Sequence, residues 1–188
     1  MIMLKLVTVP NNILTSITKP VTVFDEDLQK LIIQMEETLI AQTDPPGVGL
    51  AAPQIGRDLA IFIMKPTPKV ETEIFINPRV LKFEIRNSKF ETNSNIQNKK
   101  SKNKKTPLEG CLSVPRIWGP IKRNKKILIE YQTIDGEKKT NWFKGFRAVI
   151  IQHEMDHLNG ILFTQRALEQ NSQLFEETNG ELEKIEYC

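Results

Sequence analysis

Histidine is nearly missing from this chain, with two among 188 residues, and both fall inside one short stretch, IIQHEMDHLNG (150–160). Cysteine is as rare. Cys111 and Cys188 are the whole complement, so no disulfide framework can staple the fold and reduced thiols are expected. No apolar run approaches the roughly 18 residues that a membrane-spanning helix needs, so no membrane partner is expected. The opening MIMLKLVTVPNNILTSITKP is broken by Lys5, Pro10 and Asn11 and lacks the apolar core and cleavage site of a leader, which places the protein in the cytoplasm. A general excess of charge is missing too. The net charge is +3, but residues 86–105 (RNSKFETNSNIQNKKSKNKK) hold seven cationic side chains against one anionic, leaving about −3 for the remainder. That distribution is one basic segment and not a nucleic-acid footprint, and no specific DNA binding is expected.

What is present suits one domain. At 188 residues and 39% hydrophobic, the chain is long and apolar enough to bury a core without covalent help. Residues 25–43 (DEDLQKLIIQMEETLIAQT) place Leu28, Leu31, Ile32, Met35 and Leu39 at helical spacing behind an acidic first turn, predicting an amphipathic helix that the prolines and glycines of TDPPGVG stop. Short strands are predicted at 59–65, 73–78, 79–85, 126–133 and 139–143, with a hairpin turn at Asp135-Gly136. A second helix runs from about Lys144 to Leu158 and is apolar on much of its surface, so it is expected to be buried. Helix, strands, helix, with hairpins in the middle, gives an α+β single domain. Its short antiparallel strands would pack around the helix that carries the histidines, with an N-terminal helix and a C-terminal helix beside them.

On a helix, residues four apart share a face about 5–6 Å apart at Cβ. His153 and His157 can therefore aim one ring nitrogen each at a common point, with Glu154 next to it: the HExxH arrangement, in which two imidazoles hold a metal and the glutamate handles the proton of a water. Two imidazoles leave a metal one protein ligand short. Peptidases with this motif draw on a further His or a Glu, but this chain has no third histidine. Cys111, in LEGCLSVP, is the outstanding candidate, since metal binding deprotonates a thiol into a soft ligand. Taken singly, Cys111 reads as a small core residue, and HExxH is as readily a chance pattern on an amphipathic helix as a metal site. Their joint occurrence changes the weighing.

Three blocks in order, GVGLAAPQ (47–54), EGCLS (109–113) and HEMDH (153–157), resemble the signature of the peptide deformylase family at every fixed position. HExxH alone would be weak, whereas three ordered blocks are specific. The resemblance implies that Cys111, His153 and His157 are metal ligands, that Glu154 is the general base, and that the Gln54 side-chain amide and the backbone N–H of Leu112 receive the oxyanion. It implies one divalent metal ion, Fe(II) by family habit, with Zn, Ni or Co as replacements that the same donors accept. It also implies that residues 1–166 are a deformylase-like catalytic domain; composition, by contrast, reads 88–105 as an exposed basic loop longer than the family pattern and 167–188 as an acidic helical tail. Gly47 and Gly49 are expected to let a backbone pass close to a ligand. The acidic residues of the tail speak against docking on a ribosome through a basic C-terminal helix, although the basic loop leaves a transient ribosome contact open.

The implied substrate is the N-formylmethionyl end of a nascent chain. Phe146, Val149, Ile150 and His153 fall at i, i+3, i+4 and i+7, so one apolar stripe runs into a ligand and, with Val48, is expected to line a methionine pocket. The peptide backbone is expected to pair beside Gly49 and the segment holding Glu109 and Gly110. Glu109 is expected to hold the loop around Cys111, with Arg123 a possible partner, and Asp156 to orient an imidazole or the neighbouring loop. Two rival readings stand beside this one: a zinc endopeptidase built on HExxH, which the lack of a third histidine opposes, and a non-catalytic ribosome-associated metal-binding module, which has no use for Glu154 or Gln54.

Overall fold

The computed structural model describes residues 3–84 and 106–186. Its first long element is α1, Glu26–Ile40, begun by Asp25, whose carboxylate accepts the Leu28 N–H at 2.9 Å. Leu28, Ile32, Met35 and Leu39 point inward along one face. A five-stranded antiparallel sheet follows, with β1 (Gly49–Ala51), β2 (Ile61–Met64), β3 (Glu73–Phe83), β6 (Lys126–Gln132) and β7 (Lys138–Lys144) in that spatial order. The intervening β4 (Leu108–Cys111) and β5 (Val114–Pro120) pair with each other in a second sheet.

The sheet is covered on both faces, and β2 (IFIM) shows why it reads as an unbroken apolar run. Ile61 and Ile63 pack with α1, while Phe62 and Met64 pack with the helix α2, Phe146–Leu158. With apolar neighbours on several sides, α2 has no single hydrophobic stripe. Its buried set includes Ala148, Ile150, Ile151 and Leu158 as well as the polar Gln152, Glu154, Asp156 and His157.

Some expectations change. The segments at 73–78 and 79–85 are one strand, β3, with a register shift between Ile76 and Arg79. Asn77 adopts φ 48° at this bulge and its side chain ties Val21 and Gln132, so Pro78 sits where the ladder is already interrupted. The expected helical tail at 167–188 is corrected more strongly. The last helix, α3, spans Phe163–Glu169, and beyond it β8 (Phe175–Thr178) and β9 (Glu181–Lys184) form a hairpin that extends the second sheet in the order β4-β5-β8-β9. Asn179 and Gly180 take φ of 53° and 82°, the left-handed pair that closes a two-residue hairpin and that Asn-Gly favours. The basic segment at 88–105 lies outside the described residues. Among the described residues no helix is long and apolar enough to cross a membrane.

Candidate active site

The tight β4–β5 turn carries Cys111 at its start, and α2 presents His153 and His157 one turn apart. One ligand atom from each of the three lies within 4.8 Å of the others. Cys111 Sγ is 3.1 Å from His157 Nε2, while His153 Nδ1 is turned away toward Glu109 Oε2 at 3.3 Å. The donor set, one thiolate and two imidazoles, suits zinc, iron(II), cobalt or nickel. Burial alone would raise the Cys111 thiol, but His157 and His153 beside it hold it well below the usual thiol range. Burial likewise opposes charge on His153, and Cys111 and Glu109 outweigh it, raising the imidazole well above its ordinary value.

Behind the histidines runs a chain of opposite charges. Arg123 grips Glu109 with two parallel bonds of 2.9 and 3.0 Å and reaches Asp156 Oδ2 at 2.5 Å. Arg166 closes the far side of Asp156 at 2.8 Å. Glu109 and Asp156 both sit below the ordinary carboxylate range: burial opposes this, but His153 and Arg123 overcome it for Glu109, and Arg166 and Arg123 for Asp156. The expected Glu109–Arg123 pair is present. Asp156 contacts the two arginines, so of its two expected roles it takes the one that fixes the surrounding chain.

Glu154 stands beside the cluster with its Oε2 buried and without a hydrogen-bond partner among the described residues. Burial pushes its carboxyl up to about 7, only partly offset by His153 and His157. A buried carboxyl with an unmatched oxygen that opens on a cleft is equipped to take and release a proton near neutral pH. Gln54 closes another side. Its Oε1 accepts the Ala51 N–H at 2.8 Å, which turns Nε2 toward Cys111 Sγ at 3.6 Å. The N-terminal arm ties both segments, since Val7 N donates to Gln54 O and Val9 N to Ser113 O.

These groups lie at the base of an open cleft of about 1210 Å³. Val48, Gly49, Phe146, Val149 and Ile150 line one side; Glu109, Gly110 and Leu112 line the other. Phe146 is largely exposed, whereas Ile150 also belongs to the main core. Both glycines line the cleft, and the structure gives a second reason for them. Neither has a positive φ, but the protein itself approaches them closely. A Cβ at Gly49 would stand 2.8 Å from Glu154 Cδ and 2.9 Å from Ile150 Cγ2, and one at Gly47 would stand 2.6 Å from Leu39 Cδ1. Two contributors escaped the sequence reading. Arg166 is legible only from Asp156's need for a second cation, and Trp118 only once β5 is paired with β4.

The profile of the polypeptide deformylase family matches residues 3–173. The chain belongs to that family. Family membership makes it a metal-dependent hydrolase, in keeping with the three convergent ligand atoms. Among curated relatives, the peptide deformylase of Desulfotalea psychrophila is 39% identical over 167 residues, covering 87% of this chain and 86% of the relative. That of Helicobacter pylori is 36% identical over 185 residues, covering 98% and 97%. The crystal structure of peptide deformylase from Thermotoga maritima superposes with a TM-score of 0.71 at 34% identity, covering 88% of this chain and 98% of that one. The β8–β9 hairpin lies beyond the part of the chain that the family profile matches.

Proposed function

We propose that this protein removes the formyl group from the initiator methionine of newly made polypeptides, releasing formate, and that α2 is its central metal-binding helix. The observation that carries the reading is the convergence of Cys111, His153 and His157 beside Glu154, whose Oε2 has no partner among the described residues, and an aimed Gln54 amide. Cys111, His153 and His157 hold one divalent ion, iron(II) in the cell on family habit, with zinc, nickel or cobalt able to replace it. When bound, the ion supplies Lewis acidity, polarising the formyl oxygen and making a water acidic enough to lose its proton near neutral pH.

The chain's own residues do the rest. The methionine side chain enters between Val48, Phe146, Val149 and Ile150, and the peptide backbone runs beside Gly49 and the Glu109–Gly110 segment, which reads main chain and not sequence. As the formyl carbon becomes tetrahedral, Gln54 Nε2 and the Leu112 N–H donate to its negative oxygen. Glu154 takes the proton of the attacking water and delivers it to the methionine nitrogen as the C–N bond breaks, leaving formate and a free amine. Glu109, fixed by Arg123, holds His153 through Nδ1 so that its other nitrogen faces the ion. Residues 1–166 form the catalytic domain, at work in the cytoplasm.

The test is anaerobically prepared, iron-loaded protein incubated with a formyl-methionyl peptide, read by mass spectrometry beside Glu154→Ala. Loss of the formyl group alone is expected, slowed about 10²- to 10⁴-fold in the variant. Internal cleavage would instead mark an endopeptidase.

A further inference from the structure

The C-terminal hairpin lies beyond the family profile and lines no part of the cleft, yet it touches a residue that does. Trp118 on β5 pairs directly with Gly110 on β4, and both line the cleft, Gly110 immediately before Cys111 in the chain. Because Gly110 has no side chain, the indole lies across its backbone. A Cβ there would stand 2.6, 2.8 and 3.0 Å from three atoms of the six-membered ring. A half-buried indole N–H seeks an acceptor. It finds Glu177 on β8, donating from Nε1 to Oε2 at 2.7 Å.

The pairing explains how Glu177 gets there. Trp118 faces Phe175 across the β5–β8 ladder, and Glu177, two residues further, is on the same face at the diagonal position. The hairpin is locked at its base: Ile185 N donates to Leu174 O at 3.0 Å, and Gln173 Nε2 to Ile185 O at 2.7 Å. Leu174 is buried against Gly119, the residue after Trp118. A bond to a carboxylate is among the stronger hydrogen bonds, and here it removes the rotamer freedom that an indole at a cleft edge otherwise keeps.

We infer that Glu177 is a positioning residue that holds Trp118 across Gly110, making the indole a fixed aromatic wall that favours apolar side chains in the two substrate residues after methionine. This rests on the deformylase reading, which brings the peptide past Gly110. The hairpin thereby acts on the substrate cleft through Trp118, although it lines none of it and contributes nothing to the reacting atoms.

The test compares steady-state kinetics on formyl-Met-Leu-Leu and formyl-Met-Ser-Ser amides for metal-loaded wild type, Glu177→Ala, Glu177→Gln, Trp118→Phe and the Trp118→Phe/Glu177→Ala double variant. Wild type is expected to favour the leucine peptide through KM. Glu177→Ala is expected to raise that KM about 5- to 10-fold, the size of one ordinary net hydrogen bond. Its kcat, and its KM for the serine peptide, should stay within about twofold. Glu177→Gln keeps an acceptor and should restore the preference. In the Trp118→Phe background, with no indole N–H to hold, Glu177→Ala should add nothing. An undiminished preference in Glu177→Ala overturns the inference, as do a glutamine variant as impaired as the alanine one and equal losses on both peptides. Wild type that deformylates both peptides equally overturns the inference alone; wild type that deformylates neither overturns the deformylase reading with it.

Discussion

Behind one wall of the cleft, formed by α2 and β1, lie Phe62, Phe75, Ile127 and Ile151, all fully buried in a core that spans the five-stranded sheet. Behind the other, formed by β4 and β5, the apolar cluster is smaller, with Cys111, Val114, Ile121, Phe163, Ala167 and Leu174. Its polar complement is larger: Arg123 joining Glu109 to Asp156, and Trp118 joined to Glu177. The first wall is held by burial, which is non-directional and tolerates small shifts. The second is held by directed bonds, which fix the angles at which Glu109, Cys111 and Gly110 face the cleft. The histidines stand at the junction, carried by the apolar wall and aimed by the polar one.

Removing the hub of the polar wall should have the largest effect. Arg123→Ala leaves Glu109 and Asp156 buried without the cation they share, a loss of about 3–5 kcal/mol in urea unfolding. It also frees Glu109 from its grip, so metal affinity should fall about 10- to 100-fold in a chelator competition. The matching change behind the other wall is Phe62→Ala, which empties the ring stacked 4.5 Å from Phe75. It should cost a similar 3–5 kcal/mol while metal affinity stays within about threefold. If the two variants lose metal equally, the division of labour between the walls is wrong.

Gly49→Ala tests the junction with a smaller effect. The added methyl meets the Glu154 carboxyl and Ile150, and one of them must move. A shift of about 1 Å in a proton-transferring group costs on the order of 100-fold in kcat. Metal content should be unchanged, because the atoms nearest that methyl belong to Glu154 and Ile150 and not to the three ligands. A variant that turns over normally would mean that Glu154 works equally well from a displaced position.

The same division explains what the sequence made legible. The apolar wall announces itself locally: Leu28, Ile32, Met35 and Leu39 recur at helical spacing, and IFIM is a continuous apolar run bounded by turn residues. The chemical groups were legible because HEMDH, EGCLS and GVGLAAPQ are contiguous blocks. The polar wall is assembled from residues far apart in the chain, and nothing local marks them. Glu177 reads as one of several glutamates in an acidic stretch until β8 lies beside β5. The tail was expected to be helical because charged residues at loose spacing fit a solvated helix, yet Asn179-Gly180 carried the hairpin signal. Gly49 is legible as a position where the backbone must come close to something, but only the packed structure reveals that Glu154 also stands above it.

The weakest perturbation separates support from aim most cleanly. Asp25 caps α1 through the Leu28 N–H, and α1 packs on the sheet face opposite α2, against Ile61 and Ile63. Asp25→Ala removes one cap and should cost about 1 kcal/mol of stability, measured as an earlier urea midpoint with an unchanged slope. Catalysis should not respond. Between the cap and Glu154 lie a close-packed helix face, the sheet, and the Phe62–Phe75 layer, and a frayed first turn at Glu26 and Asp27 leaves all of them in contact. A fall in kcat/KM with formyl-methionyl peptide would mean that the apolar wall transmits strain across the sheet to the carboxylate, and that it shares in aiming the site as well as supporting it.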